Sequence, residues 1–106
     1  MSAKIVKAVE AKWGRLDALM CNAGLVRNRT IARMTDEEWS DAVTGNLDSV
    51  FYCVRAALPL LRRAGDGVVL TMSSSAALRG ARGAANYAAA KAGVLAFTKS
   101  LAQEEA

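Results

Sequence analysis

Hydrophobic and polar residues change period several times along the chain, and each change marks an element. Val6, Val9 and Trp13 recur at steps of three and four, which predicts a helix over residues 3–13. Gly14 follows it as a helix-ending residue. Leu16–Cys21 is an apolar run broken only by Asp17, a pattern that suits a buried strand. A second helical stripe then runs through Trp39, Val43, Asn46, Val50, Val54, Ala57 and Leu61. Thr35-Asp36-Glu37-Glu38 has the form of a capping box at its start, with Met34 and Trp39 placed as a hydrophobic staple. The three acids stand at the positive end of the helix dipole. Pro59 is expected to bend or break this helix, because it removes one backbone bond, and Gly65-Asp66-Gly67 ends it. Val68–Met72 is apolar throughout and predicts a second strand, with Ser73, Ser74 and Ser75 at its carboxyl end. Residues 76–83, with Gly80 and Gly83, read as a loop, and residues 84–104 as a long Ala-rich helix. On that helix Ala85, Ala89, Ala92 and Ala96 form a narrow small-residue face, and Val94, Phe97 and Leu101 a larger apolar one.

The order is therefore helix, strand, helix, strand, helix. A strand, crossover helix and strand imply a parallel pair with a right-handed crossover. Repeated alternation implies an α/β layer fold. Ligands in such sheets sit beyond the carboxyl ends of the strands. Both predicted strands end in small or polar residues, Asn22-Ala23-Gly24 and Ser73-Ser74. A site is expected at that edge.

Composition narrows the function classes. With 106 residues the chain suits one domain, residues 1–106, and 53% hydrophobic with 23% charged residues is a globular balance. The net charge of +4 is spread along the chain. No cluster of Lys and Arg with interleaved aromatics suggests a nucleic-acid groove. The chain has two cysteines, Cys21 and Cys53, and no histidine, so a metal site is not expected and each thiol reads as buried and free. Met1-Ser2-Ala3-Lys4 opens no apolar leader, and no stretch approaches the ~20 apolar residues of a membrane span. A reducing, cytoplasmic setting is the expectation.

Two features carry possible chemistry. Tyr87 and Lys91 are one helical turn apart and share a face. A tyrosine working as acid and base near neutrality needs its pKa of ~10 lowered by about three units, or about 4 kcal/mol of phenolate stabilisation. A neighbouring ammonium supplies part of that. Alone, the spacing is a weak motif that more often describes a pair on a solvated face. Asn46 sits where the long stripe calls for an apolar residue. A buried amide without partners costs about 1–3 kcal/mol, so Asn46 is either satisfied locally or held there for function.

Taken together, Asn22-Ala23-Gly24, Asn46, Ser74 and Tyr87-Ala88-Ala89-Ala90-Lys91 resemble the ordered signature of the short-chain dehydrogenase/reductase family. The wider strings around Asn22 and Tyr87 are similar to β-ketoacyl-carrier-protein reductases and their relatives. The resemblance implies a partial Rossmann-like, doubly wound parallel sheet. It implies an NAD(P)-dependent oxidoreductase that moves a hydride between a nicotinamide and a carbonyl or alcohol. Tyr87 would be the general acid and base, and Lys91 would aid it and bind the nicotinamide ribose. Ser74 would hold the substrate oxygen. Asn46 would interrupt regular helix bonding and hold a water. Asn22, Ala23 and Gly24 would line NADP or NAD together with Tyr87 and Lys91, NADP being favoured. Cys21 departs from the family's commoner second Asn.

The family's Gly-rich phosphate turn has no counterpart here, since Gly65-Asp66-Gly67 opens a strand rather than a helix. The residues that separate NAD from NADP, and the later strands, have none either. The chain accordingly reads as a central fragment, expected to bind cofactor weakly alone. The alternative is a non-catalytic dimerisation module on the same scaffold. The partners implied are a small carbonyl or alcohol substrate and a second copy joined through the two long helices, with no nucleic acid and no membrane.

Overall fold

A computed structural model describes residues 2–106. Met1, part of the start read above for a leader, lies outside them. Helix α1 spans Ser2–Trp13, strand β1 Ala18–Cys21 and strand β2 Val68–Thr71. Between the strands, α2 (Asp36–Val43) and α3 (Ser49–Ala64) are joined by a π-helical turn, Thr44–Asp48. A 3-10 turn, Ile31–Arg33, precedes α2. After β2 come a short helix, α4 (Ala76–Arg79), and the long α5 (Ala85–Glu104).

The strands pair in parallel, with Ala18 opposite Val68 and Cys21 opposite Thr71, as the crossover rule predicts. The ladder reaches one residue further back, where the Val68 amide donates to the Asp17 carbonyl at 2.9 Å. Asn22 and the serine triplet therefore leave the sheet at the same edge. The predicted strand at residues 16–21 is shorter by its first two positions.

The capping box forms as read. Glu38 N–H donates to Thr35 Oγ1 at 3.0 Å, and Thr35 N–H donates to the Glu38 carboxylate at 3.0 Å. That bond, with Arg29 at 3.1 Å, holds the Glu38 carboxyl below its ordinary range. Trp39, placed in the buried stripe by its spacing, is instead 46% exposed. Its position shares the stripe's angle, but α5 covers α2 nearer Ala42, which is fully buried. Pro59 does not break α3. Pro59 and Arg55 both lie on the exposed side, where water can take the carbonyl that proline leaves free. The segment read as a loop contains α4, which the Ser75-to-Gly80 run closes in a single turn.

The core gathers Val50 and Val54 of α3 with Val94 of α5. Leu19, Cys21 and Val69 pack on it from one face of the sheet, and Leu47, Phe97 and Leu101 from the helices. The other face is bare: Met20 is 61% and Leu70 49% exposed. The expectation of strands buried on both faces fails here, because α3 and α5 lie on the same side. The small-residue face of α5 is likewise not the packed one. Ala89 and Ala96 are exposed, while Asn86, Ala90, Lys91 and Val94 are buried. Among the described residues no helix is long and apolar enough to cross a membrane.

Three expectations follow. Val94, fully buried, should cost about 2 kcal/mol when cut to Ala, from two lost methyls and the residual cavity. Trp13→Ala, at a position 63% exposed, should stay within about 0.5 kcal/mol. Urea midpoints at constant slope would separate the two. For Glu38, the lowered folded value means its stabilisation is present above the ordinary 4.5 and is lost as pH falls through the lowered value. Glu38→Gln should therefore be less stable than the parent near neutrality and converge with it in strong acid, as read by urea denaturation at both pH values.

Candidate active site

The described residues bury three polar or charged side chains, Asn46, Asn86 and Lys91. All three stand toward the carboxyl ends of the strands. Buried polar groups must find partners, and each of these does so across a tertiary contact.

Asn46 is fully buried inside the π turn. Its Nδ2 donates to the Ala42 carbonyl at 2.7 Å, the acceptor a regular helix would give to the Asn46 amide. Ser49 repeats the substitution. Its hydroxyl donates to the Gly45 carbonyl at 2.8 Å, while its amide reaches back five residues to Thr44. Two side chains thus take the places of two backbone donors, and the ladder widens to π spacing. The helix is not broken, since Val43, Thr44, Asp48 and Ser49 all keep right-handed helical dihedrals. Asn46 also clasps the segment after β1. Its Nδ2 donates to Leu25 O at 2.6 Å and its Oδ1 accepts from Leu25 N at 3.1 Å.

The clasp brings Gly24 against the same group. A Cβ on Gly24 would stand 2.8 Å from Asn46 Oδ1 and 3.8 Å from Lys91 Nζ. Gly45 meets a similar limit, because a Cβ there would lie 2.9 Å from Leu25 Cβ. Asn22, Ala23 and Gly24 themselves are exposed.

Lys91 is 5% exposed. Its ammonium donates to Met72 O, just past β2, at 3.1 Å and stands 5.8 Å from the Tyr87 ring centroid. Ser73 fixes the same helix from below, donating to Lys91 O at 3.0 Å. Tyr87 is half-buried, and its hydroxyl makes no hydrogen bond among the described residues. Ser74 is half-buried beyond β2, and its hydroxyl accepts from Ala76 N at 3.3 Å. Asn46, Gly24 and Lys91 are therefore gathered by contacts between elements, and Tyr87 joins them through Lys91 on its own helix. Ser74 is placed at their edge by the chain's path and makes no direct bond to them.

Asn86 had no role in the sequence reading, although it stands beside Tyr87. Its only signal was an amide at the start of an Ala-rich helix. Cys21 and Cys53 are both free and half-buried, and burial pushes the Cys21 thiol up. No group of three metal-ligating side chains occurs among the described residues.

The family model for short chain dehydrogenases matches residues 1–106. The chain belongs to this family. The short-chain dehydrogenase relatives include the 3-oxoacyl-acyl-carrier-protein reductase FabG of Escherichia coli K12, 41% identical over 102 residues. The protein of the same name from Staphylococcus aureus Mu50 is 41% identical over 100 residues, and that from Vibrio cholerae 42% over 102. These matches cover 94–96% of this chain but only 41–42% of the relatives. This short-chain dehydrogenase chain thus spans about two fifths of the length of the proteins it matches.

Replacing Asn46 by Leu would strip the half-buried Leu25 amide and carbonyl of their side-chain partner, while Ala42 O can return to the backbone amide of residue 46. A buried polar group left bare costs about 1–3 kcal/mol, so the variant should lose about that much in urea unfolding. It should also lose exchange protection at the Leu25 amide. Retained protection would refute the clasp.

Proposed function

We propose that this chain supplies the catalytic core of a nicotinamide-dependent oxidoreductase that interconverts a small carbonyl compound and its alcohol. The observation that carries the reading is the junction of Gly24, Asn46 and Lys91 beside Tyr87, at the carboxyl ends of two parallel strands.

The residues present fit a nicotinamide cofactor. Residues 22–24 are exposed to a ligand, and the bare Cα of Gly24 lets this turn lie directly against Asn46 Oδ1, beside the Lys91 ammonium. Lys91 is a buried ammonium with three donors, one of them used on Met72 O. The others suit a ribose hydroxyl. The bound group, NADP or NAD, would supply or accept the hydride.

Tyr87 donates its phenol proton to the carbonyl oxygen in reduction and takes a proton from the alcohol in oxidation. The Lys91 ammonium stands 5.8 Å from the Tyr87 ring centroid, one helical turn along the same face. Ser74 donates a hydrogen bond to the same substrate oxygen. Asn46 has spent both amide donors within the fold. A water at Asn46 is therefore held through an acceptor, and it passes protons toward Lys91. Homo-oligomerisation would use α3 and α5, where Phe51, Tyr52, Ala89 and Ala96 are exposed.

The test uses the chain extended to the length of its relatives. Tyr87→Phe should lower kcat on a carbonyl substrate by about 10²–10⁴-fold, the usual contribution of a general acid, while cofactor KM changes little. Lys91→Ala should damage both. Equal kcat for Tyr87→Phe and parent would remove Tyr87 from the mechanism.

A further inference from the structure

Of the three buried polar side chains, Asn86 alone has no part in the chemistry above. It is fully buried, and every hydrogen-bonding position on its amide nitrogen is used. Nδ2 donates to Arg27 O at 2.9 Å and to Glu38 O at 3.0 Å. Those partners are 59 and 48 residues away in sequence, one on the segment after β1 and one on α2. Oδ1 accepts from the Tyr87 amide at 2.8 Å.

The start of α5 needs such help. Its N-cap residue, Ala84, offers no side-chain acceptor, so the first-turn amides lack a cap. Asn86 satisfies the Tyr87 amide from within the turn. One further bond closes the same seam, from Arg29 N–H to Gly83 O at 2.8 Å. Below Tyr87, α5 is held by Lys91 Nζ on Met72 O and by Ser73 on Lys91 O. Tyr87 therefore sits between two independent ties, and Asn86 is the upper one.

We infer that Asn86 is a positioning residue: by tying the first turn of α5 to Arg27 and Glu38, it sets where the Tyr87 ring stands over Lys91. The inference rests on the reading of Tyr87 as the acid–base group. It makes the segment after β1 and the first turn of α5 one unit, so that this segment and Tyr87 keep a fixed relation.

The test is made on the 106-residue chain by NMR, with two variants. Asn86→Ala removes the tie outright. Asn86→Asp keeps an oxygen for the Tyr87 amide but sets its second oxygen against two carbonyls that need a donor. In both, contacts between the Tyr87 ring and the Lys91 methylenes should weaken several-fold. Amide exchange at Arg29 and Tyr87 should quicken by about tenfold or more, while Val54, Leu70 and Lys91 keep parental rates. Parental ring contacts in Asn86→Asp would overturn the inference. So would acceleration spread evenly to Val54 and Leu70, which marks a general stabiliser. If neither variant folds, the parent decides. Slow exchange of the Asn86 side-chain amide protons supports the tie, and fast exchange overturns it. In a parent with turnover, Asn86→Asp should lower kcat with cofactor KM unchanged. A parent that passes the NMR test yet reduces no carbonyl when extended to the length of its relatives counts against the acid–base reading of Tyr87 and not against the tie.

Discussion

The arrangement depends on one substitution of partners: the Asn46 side chain takes the place of its own backbone donor at Ala42 O. A helix can hold a buried amide only if every polar atom of that amide is satisfied, and leaving one bare would cost about 1–3 kcal/mol. Asn46 meets the requirement by bonding inward to its own helix and outward to Leu25. The inward bond widens the turn. The outward bonds draw the segment after β1 onto the helix. Gly24 and Gly45 are then required by space alone, because a Cβ on either would fall within 3 Å of a neighbour.

Apolar and polar packing divide the molecule between them. Val50, Val54 and Val94 hold α3 and α5 against one face of the sheet. Toward the strand ends that role passes to Asn46, Asn86 and Lys91, which bond carbonyls on segments far apart in sequence. Such contacts are directional. They specify where a helix stands along and around its axis, which apolar contacts alone leave loose. The proposed site, in which a phenol would meet the substrate and an ammonium the cofactor, needs that kind of restraint.

The bare sheet face and the exposed aromatics of α3 give the chain two unlike surfaces. The first carries Met20, Val68, Leu70 and Met72, alternating with the packed residues Leu19, Val69 and Thr71 along each strand. The second carries Phe51 and Tyr52, tilted against each other with the Arg55 guanidinium over both rings. The proposed chemistry uses neither directly.

By itself the sequence determined whatever depends on neighbours a few residues apart. The capping box at Thr35, the long stripe through Asn46 to Leu61, the turn at Gly14 and the parallel strand pair all follow from local spacing and the handedness of the chain. The order of Asn22, Asn46, Ser74, Tyr87 and Lys91 placed the chain in its family before any contact was known. Tertiary structure decided which faces are covered. Periodicity says that Trp39 or Ala89 shares a face with its neighbours, but only the placement of α3 and α5 says whether anything lies against it. Tertiary structure also decided how the buried amides are satisfied. Asn86 bonds carbonyls 48 and 59 residues away, and no local pattern encodes an acceptor at that distance. A backbone carbonyl is common to every residue type, so the sequence leaves no mark of which one a side chain will find.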